Sequence, residues 1–156
     1  MFLQKIEGKQ GADASRAYSP AVKLGDFVYV SAQSGKNADN EEMADDVSQQ
    51  TKQAMENVLF LLAEKGLAAR HIVKTTIFLT NMDDYALVND MYATYFDGVY
   101  PACSVVEVSA LLDAGQVAIE CMVLDTLVYE RQMQQGSHDG CGGCESDHTC
   151  GCSGCE

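Results

Sequence analysis

The chain has 156 residues, 47% of them hydrophobic and 21% charged, which suits one soluble globular domain with a core of its own. Ten Lys and Arg against 23 Asp and Glu leave a formal net charge of −13 with no basic cluster, a surface that repels phosphate backbones and argues against nucleic acid as the main partner. No apolar run approaches the roughly 18 residues of a membrane span, and Met1-Phe2-Leu3-Gln4-Lys5 lacks a signal-peptide layout, so a cytoplasmic protein with no membrane partner is expected.

Phe2 to Glu7 reads as a short strand, and the polar, Gly/Ala/Ser-rich stretch from Gly8 to Ser19 as a loop. Ala21-Val22-Lys23-Leu24 and Phe27-Val28-Tyr29-Val30-Ser31 read as strands joined through Gly25-Asp26, a hairpin signal. Gln33 to Asn40 reads as a loop by its Gly, Asn and Asp content. From about Asp46 to Lys65, apolar residues such as Val47, Met55, Val58 and Leu62 recur at helical spacing, and Gly66 supplies the stop. His71 to Thr80 is a β-prone run, with His71 read as a surface residue at its start. Asn81 caps a second helix with Asp83 and Asp84 in its first turn; that helix presents Tyr85, Val88, Tyr92 and Phe96 and ends near Asp97-Gly98.

Tyr100 to Val108 and its return partner Val117 to Leu124 read as an apolar strand pair linked through Gly115, covered on both faces. The order β-β-β-α-β-α-β-β describes an α+β domain with two helices on one sheet face. The other face also reads apolar, through Ile72, Val73, Ile77, Phe78 and Leu79, and a bare apolar face predicts association. Within the last strand pair stand a thiol, Cys103, and two carboxylates, Glu107 and Glu120. Polar groups in strands this apolar are either satisfied structural groups or parts of a site. Glu107 reads as structural, paired or capping a loop. No Gly-rich phosphate loop, Ser/His/Asp arrangement or nucleotide fingerprint is present, and no cofactor is expected in the domain.

Tyr100-Pro101-Ala102-x-Ser104-x-Val106-Glu107-Val108 followed by Ile119-Glu120 resembles the signature of the RidA (YjgF) family of small imine deaminases. Val30-Ser31-Ala32-Gln33, Ile72-Val73-Lys74-Thr75-Thr76-Ile77-Phe78, and Val88-Asn89 with Tyr92 and Phe96 agree with it, in order, over residues 1–130. The resemblance implies a chorismate-mutase-like fold and a homotrimer whose sheets pack into a central barrel. It also implies intersubunit clefts where imines and enamines derived from PLP enzymes are hydrolysed to 2-oxo acids and ammonia. Carried over by match, Glu120 handles water and protons, and Tyr18, Ser31 and Asn89 line the pocket.

The departure from that pattern is Cys103, which stands where the family carries the arginine that binds the substrate carboxylate. A guanidinium makes two parallel charge-assisted bonds to a carboxylate, whereas a thiol is a weak donor. Arg16 and Lys74 are the cations closest to the motifs that could substitute. Cys103 itself reads either as a small filler or as an accessible thiol acting as nucleophile or redox sensor. The match suggests that it shares a face with Glu120, which would turn Cys121 away and disfavour a Cys103–Cys121 bridge. A non-catalytic ligand-binding or thiol-sensing trimer is therefore the alternative to an enzyme.

Residues 131–156 read as a Gly/Cys-rich, low-complexity tail too poor in apolar side chains to build a core. Cys141, Cys144, Cys150, Cys152 and Cys155 run as C-x2-C-x5-C-x-C-x2-C, beside His138 and His148. Two C-x2-C pairs resemble the halves of a tetrathiolate site for Zn²⁺ or Cu(I). Thiol exchange, or an appendage without chemistry, are the other readings.

Overall fold

Six strands form one mixed sheet in the order β1-β2-β3-β6-β4-β5. The computed structural model describes residues 2–8 and 16–136. The strands are β1 (Leu3–Ile6), β2 (Ala21–Leu24), β3 (Phe27–Ser34), β4 (Ile72–Leu79), β5 (Ala102–Glu107) and β6 (Val117–Leu124). Two helices of the same unit, α1 (Val47–Ala63) and α2 (Tyr85–Ala93), follow β3 and β4. The α+β class and strand–helix order expected from the sequence are those observed.

Local chemistry explains the boundaries. Gly25, at φ 59, takes the left-handed turn position that joins β2 to β3, where a side chain would be strained. The Asp46 side chain accepts the Gln49 N–H and caps α1. Past its other end Gly66, at φ 72, lets the Leu67 N–H return to the Leu62 carbonyl at 3.0 Å. Asn81 caps a short 3₁₀ turn, Met82–Asp84, that leads into α2. Glu107 has the structural role expected of it: its carboxylate accepts the Met82 N–H at 2.7 Å.

The core lies between the sheet and the helices. On β6, Val117, Ile119, Cys121 and Val123 are buried; α1 adds Ala54, Met55, Val58 and Leu62, and α2 adds Val88 and Tyr92. Gly35, just past β3, lies tight against α1, since a Cβ there would stand 2.5 Å from the Gln50 Cα. The buried Gln50 amide then ties the neighbouring loops, donating to the Ala44 carbonyl and accepting the Gln116 N–H.

Four expectations are corrected. The last two strands are not a hairpin: β4 lies between them, parallel to β5 and antiparallel to β6. A parallel pair needs a crossover, and α2 supplies it. Nor is β5 covered on both faces, since it is the edge strand and most of its residues are exposed. His71 is buried rather than superficial, with ring Nδ1 accepting the Ala68 N–H at 2.9 Å. The second helix ends at Ala93, short of Asp97, and the residues after it close as turns. A second unit begins at Leu127, and its described residues form a helix, α3 (Leu127–Gly136), that the composition of the stretch concealed.

Candidate functional site

Strand alternation sorts the side chains onto two faces. In register, Thr75 of β4 lies opposite Cys121 of β6 and Cys103 of β5, and Thr76 lies opposite Glu120 and Ser104. Thr75 is buried on the helix side, its hydroxyl 2.8 Å from the Tyr92 hydroxyl. Cys103 therefore shares the helix face with Cys121, while Glu120 is on the opposite, open face. The expectation that Cys103 and Glu120 share a face within one chain is overturned, because β4 interposes a strand and sets the register. Both cysteines are free thiols, as expected, but for a different reason: they share a face across two strand spacings, roughly 10 Å. Cys121 is buried, which pushes its thiol up to about 12, with the neighbouring Glu120 charge adding to the effect. Cys103 is exposed.

The open face carries the site. A hollow of about 310 Å³ is lined there by Val22, Tyr29, Ser31, Lys74, Thr76, Glu120 and Met122. Its shape comes from an irregularity in the β3–β6 ladder between Val30 and Gln33, where Ser31 and Ala32 together stand against Glu120. Such bulges re-aim side chains and interrupt pairing beside functional groups. Ser31 is fixed by its own segment, its N–H bonded to the Pro20 carbonyl at 2.9 Å and its Oγ to the Ser19 carbonyl at 2.7 Å. Lys74 Nζ donates to Ser104 Oγ at 2.6 Å. Among the described residues, no side chain or backbone group donates to the Glu120 carboxylate. A half-buried carboxylate beside a lysine and hydroxyls can bind a cationic group or move a proton.

The remaining expected site residues are elsewhere. Tyr18 lines a second, more polar hollow of about 780 Å³ on the far side of the bulge, with Ala32, Gln33, Asn57 and Asp113. Arg16 is committed there: Nη1 donates to the Tyr18 hydroxyl at 2.8 Å and Nη2 to Asp113 at 3.1 Å. The Tyr18 bond and the Asp113 charge hold the guanidinium pKa above its ordinary value. Asn89 is exposed on α2, where its Oδ1 accepts the Tyr85 hydroxyl at 3.4 Å, so burial does not single it out. One chain thus brings Ser31 and Glu120 together and leaves Tyr18, Asn89 and Cys103 apart from them. Lys74 is the residue of the hollow that only register could have placed.

The tail cysteines Cys141, Cys144, Cys150, Cys152 and Cys155 lie outside the described residues. Among those described, no three His, Cys, Asp or Glu side chains gather as metal ligands. No helix among them is long and apolar enough to cross a membrane.

The family model for Endoribonuclease L-PSP matches residues 9–124. The chain belongs to that family, the RidA (YjgF) family. It is 37% identical over 127 residues to Protein DfrA of Myxococcus xanthus, covering 80% of this chain and 97% of that protein. It is 34% identical over 125 residues to the 2-iminobutanoate/2-iminopropanoate deaminase of Rattus norvegicus, covering 79% and 91%. Among solved structures, the Rid-family protein YyfA of Yersinia pestis superposes with a TM-score of 0.73 at 39% identity, over 78% of this chain and 98% of the other. E. coli TdcF, determined with bound serine, gives 0.73 at 31% identity over the same shares. The RidA fold is therefore shared, with α1 and α2 on one side of the sheet.

Proposed function

We propose that this RidA-family protein is a homotrimeric hydrolase that converts small 2-imino acids and their enamine forms to 2-oxo acids and ammonia. The observation that carries the reading is the open-face hollow in which an uncommitted carboxylate, Glu120, stands with Ser31 and Lys74. The deaminase relative at 34% identity supports the reaction class, and the relative holding serine supports a small amino-acid-like ligand.

The chemistry asks little beyond a proton carrier. Water adds to the iminium carbon, and Glu120 takes a proton as the C–O bond forms. It passes that proton to the nitrogen, then accepts the hydroxyl proton as the carbonyl forms and the C–N bond breaks. Ammonia leaves and takes up the last proton. No oxidant or cofactor is consumed.

The exposed face of the sheet supports the assembly part of this reading. Leu3, Leu24, Phe27, Tyr29 and Val106 are each at least 40% exposed, and the register places all five on the open face. A face this apolar is an association surface. The position of the family's arginine, here Cys103, is on the reverse side of the same sheet from Glu120. A cleft that holds both has to be built from two subunits.

The reading is tested by ammonia and 2-oxo acid release from imines generated in situ, with Glu120→Gln as the comparison. Release equal to buffer would reject it. The exposure of Cys103 favours one second reading, a ligand-binding trimer whose thiol senses oxidants. Thiol labelling separates them: a Cys103 that reacts no faster than a free cysteine ends the sensor reading. The paired C-x2-C spacing further supports a proposal that the tail binds Zn²⁺ or Cu(I), independently of the domain's chemistry.

A further inference from the structure

We propose that Lys74, oriented by Ser104, is the carboxylate anchor of the open-face hollow and takes over the work assigned in the family signature to the arginine replaced by Cys103. This rests on the ligand class proposed above and names the residue that recognises it.

Two cations stand close enough to the motifs to be considered, and the geometry separates them. Arg16 is engaged by Tyr18 and Asp113 in the other hollow, so its donors are already directed. Lys74 is on the open face, one strand from Glu120 and displaced by one side-chain pair, since Thr76 is the residue opposite Glu120. Its ammonium has three donors, and Ser104 Oγ accepts one of them at 2.6 Å. A neutral hydroxyl holds the ammonium in place without cancelling its charge. No carboxylate is within ion-pair distance of Lys74 among the described residues.

The resulting pair of charges matches the substrate. A protonated 2-imino acid carries a carboxylate and an iminium nitrogen on adjacent carbons. Lys74, held at Ser104 on β5, and Glu120 on β6 offer a positive and a negative group on either side of Thr76, two strand spacings or roughly 10 Å apart at the backbone. A small ligand laid between them would point its carboxylate at Lys74 and its nitrogen at Glu120. A hollow of about 310 Å³ is of a size to take a small 2-imino acid. Lysine binds a carboxylate as a point charge rather than as a fork, so the anchor tolerates more ligand orientations than an arginine would.

The test is calorimetric titration of the full-length protein with 2-oxobutanoate, the stable product carrying the same carboxylate. Wild type is compared with Lys74→Met, Lys74→Arg, Ser104→Ala and Lys36→Met, the last removing one positive charge from the other hollow. Lys74→Met should weaken binding about 30-fold or more, as expected for the loss of a charged contact. Lys74→Arg should stay within about fivefold, Ser104→Ala should lose only a few-fold, and Lys36→Met should bind as wild type does. The ketone 2-butanone, which lacks the carboxylate, should not distinguish wild type from Lys74→Met. Equal binding of 2-oxobutanoate by wild type and Lys74→Met, or no binding by wild type, would overturn the anchor. Lys74-dependent binding without imine hydrolysis would overturn the proposed reaction and leave the anchor standing.

Discussion

Glu120 and Cys103 occupy opposite faces of the same sheet, fixed there by their cross-strand partners Thr76 and Thr75 on β4. Because one chain cannot direct both into one pocket, the open face and the edge strand β5 have separate parts in the account. In the proposed reaction Glu120 carries the proton on the open face. Cys103 is an exposed edge residue that a second subunit would have to reach.

Replacing Glu120 by Gln should lower imine hydrolysis by about 10²-fold or more, the usual effect of losing a positioned proton carrier. The fold should keep its stability, since nothing among the described residues donates to the carboxylate. Initial rates and urea unfolding of the two proteins check the two halves of the statement. A variant that is unstable as well as inactive would make Glu120 a structural residue.

Leu24→Asp together with Phe27→Asp should abolish assembly. Both side chains are on the open face and close to half exposed. Buried carboxylates without partners at such an interface are costly. Sedimentation equilibrium should give three chain masses for wild type and one for the double variant. A single chain mass for wild type would contradict the trimer.

Gly35→Ala should destabilise the domain by about 1–3 kcal/mol, the common range for overpacking. The added carbon would meet the α1 backbone at Gln50, not the end of a flexible side chain, so relief requires the helix to move. The denaturant midpoint measures it, and an unchanged midpoint would show that β3 and α1 are less closely packed than described.

Stability should fall at alkaline pH. Burial pushes both the Cys121 thiol and the Tyr92 hydroxyl up to about 12, above the ordinary values of 9.0 and 10.0. Between pH 9 and 12 the unfolded chain gives up these protons while the folded chain holds them, so each rise in pH favours unfolding. Below about pH 8, where both states are protonated, these groups add no slope. Urea unfolding from pH 7 to 11 follows the loss, and Cys121→Val should remove the part that begins near pH 9. An equally steep decline in that variant would place the cause elsewhere.

Much of this was legible in the sequence, and the remainder divides by physical cause. The turn at Gly25, the stop at Gly66 and the cap at Asn81 are local signals, although Asn81 caps the 3₁₀ turn ahead of α2 and not α2 itself. The pairing of β4 between β5 and β6 is non-local. Strand propensity says nothing of which strands become neighbours, so the face of Cys103 could not be read. Ser31 and Glu120 were named from the family pattern and do meet. Lys74 joins them only once the register is known, and His71 looked superficial because polarity, not its Ala68 contact, was all the sequence displayed. The α3 helix was hidden by its place beside a Gly/Cys-rich stretch.

In the proposed function the protein hydrolyses small 2-imino acids in the open-face hollow with Glu120 as the proton carrier. Its most direct test is ammonia release from 2-iminobutanoate generated in situ, measured beside Glu120→Gln at equal protein concentration. Proton transfer by Glu120 requires a wild-type rate well above buffer and a variant rate close to it. A wild-type rate indistinguishable from buffer, or a Glu120→Gln rate equal to wild type, would contradict it.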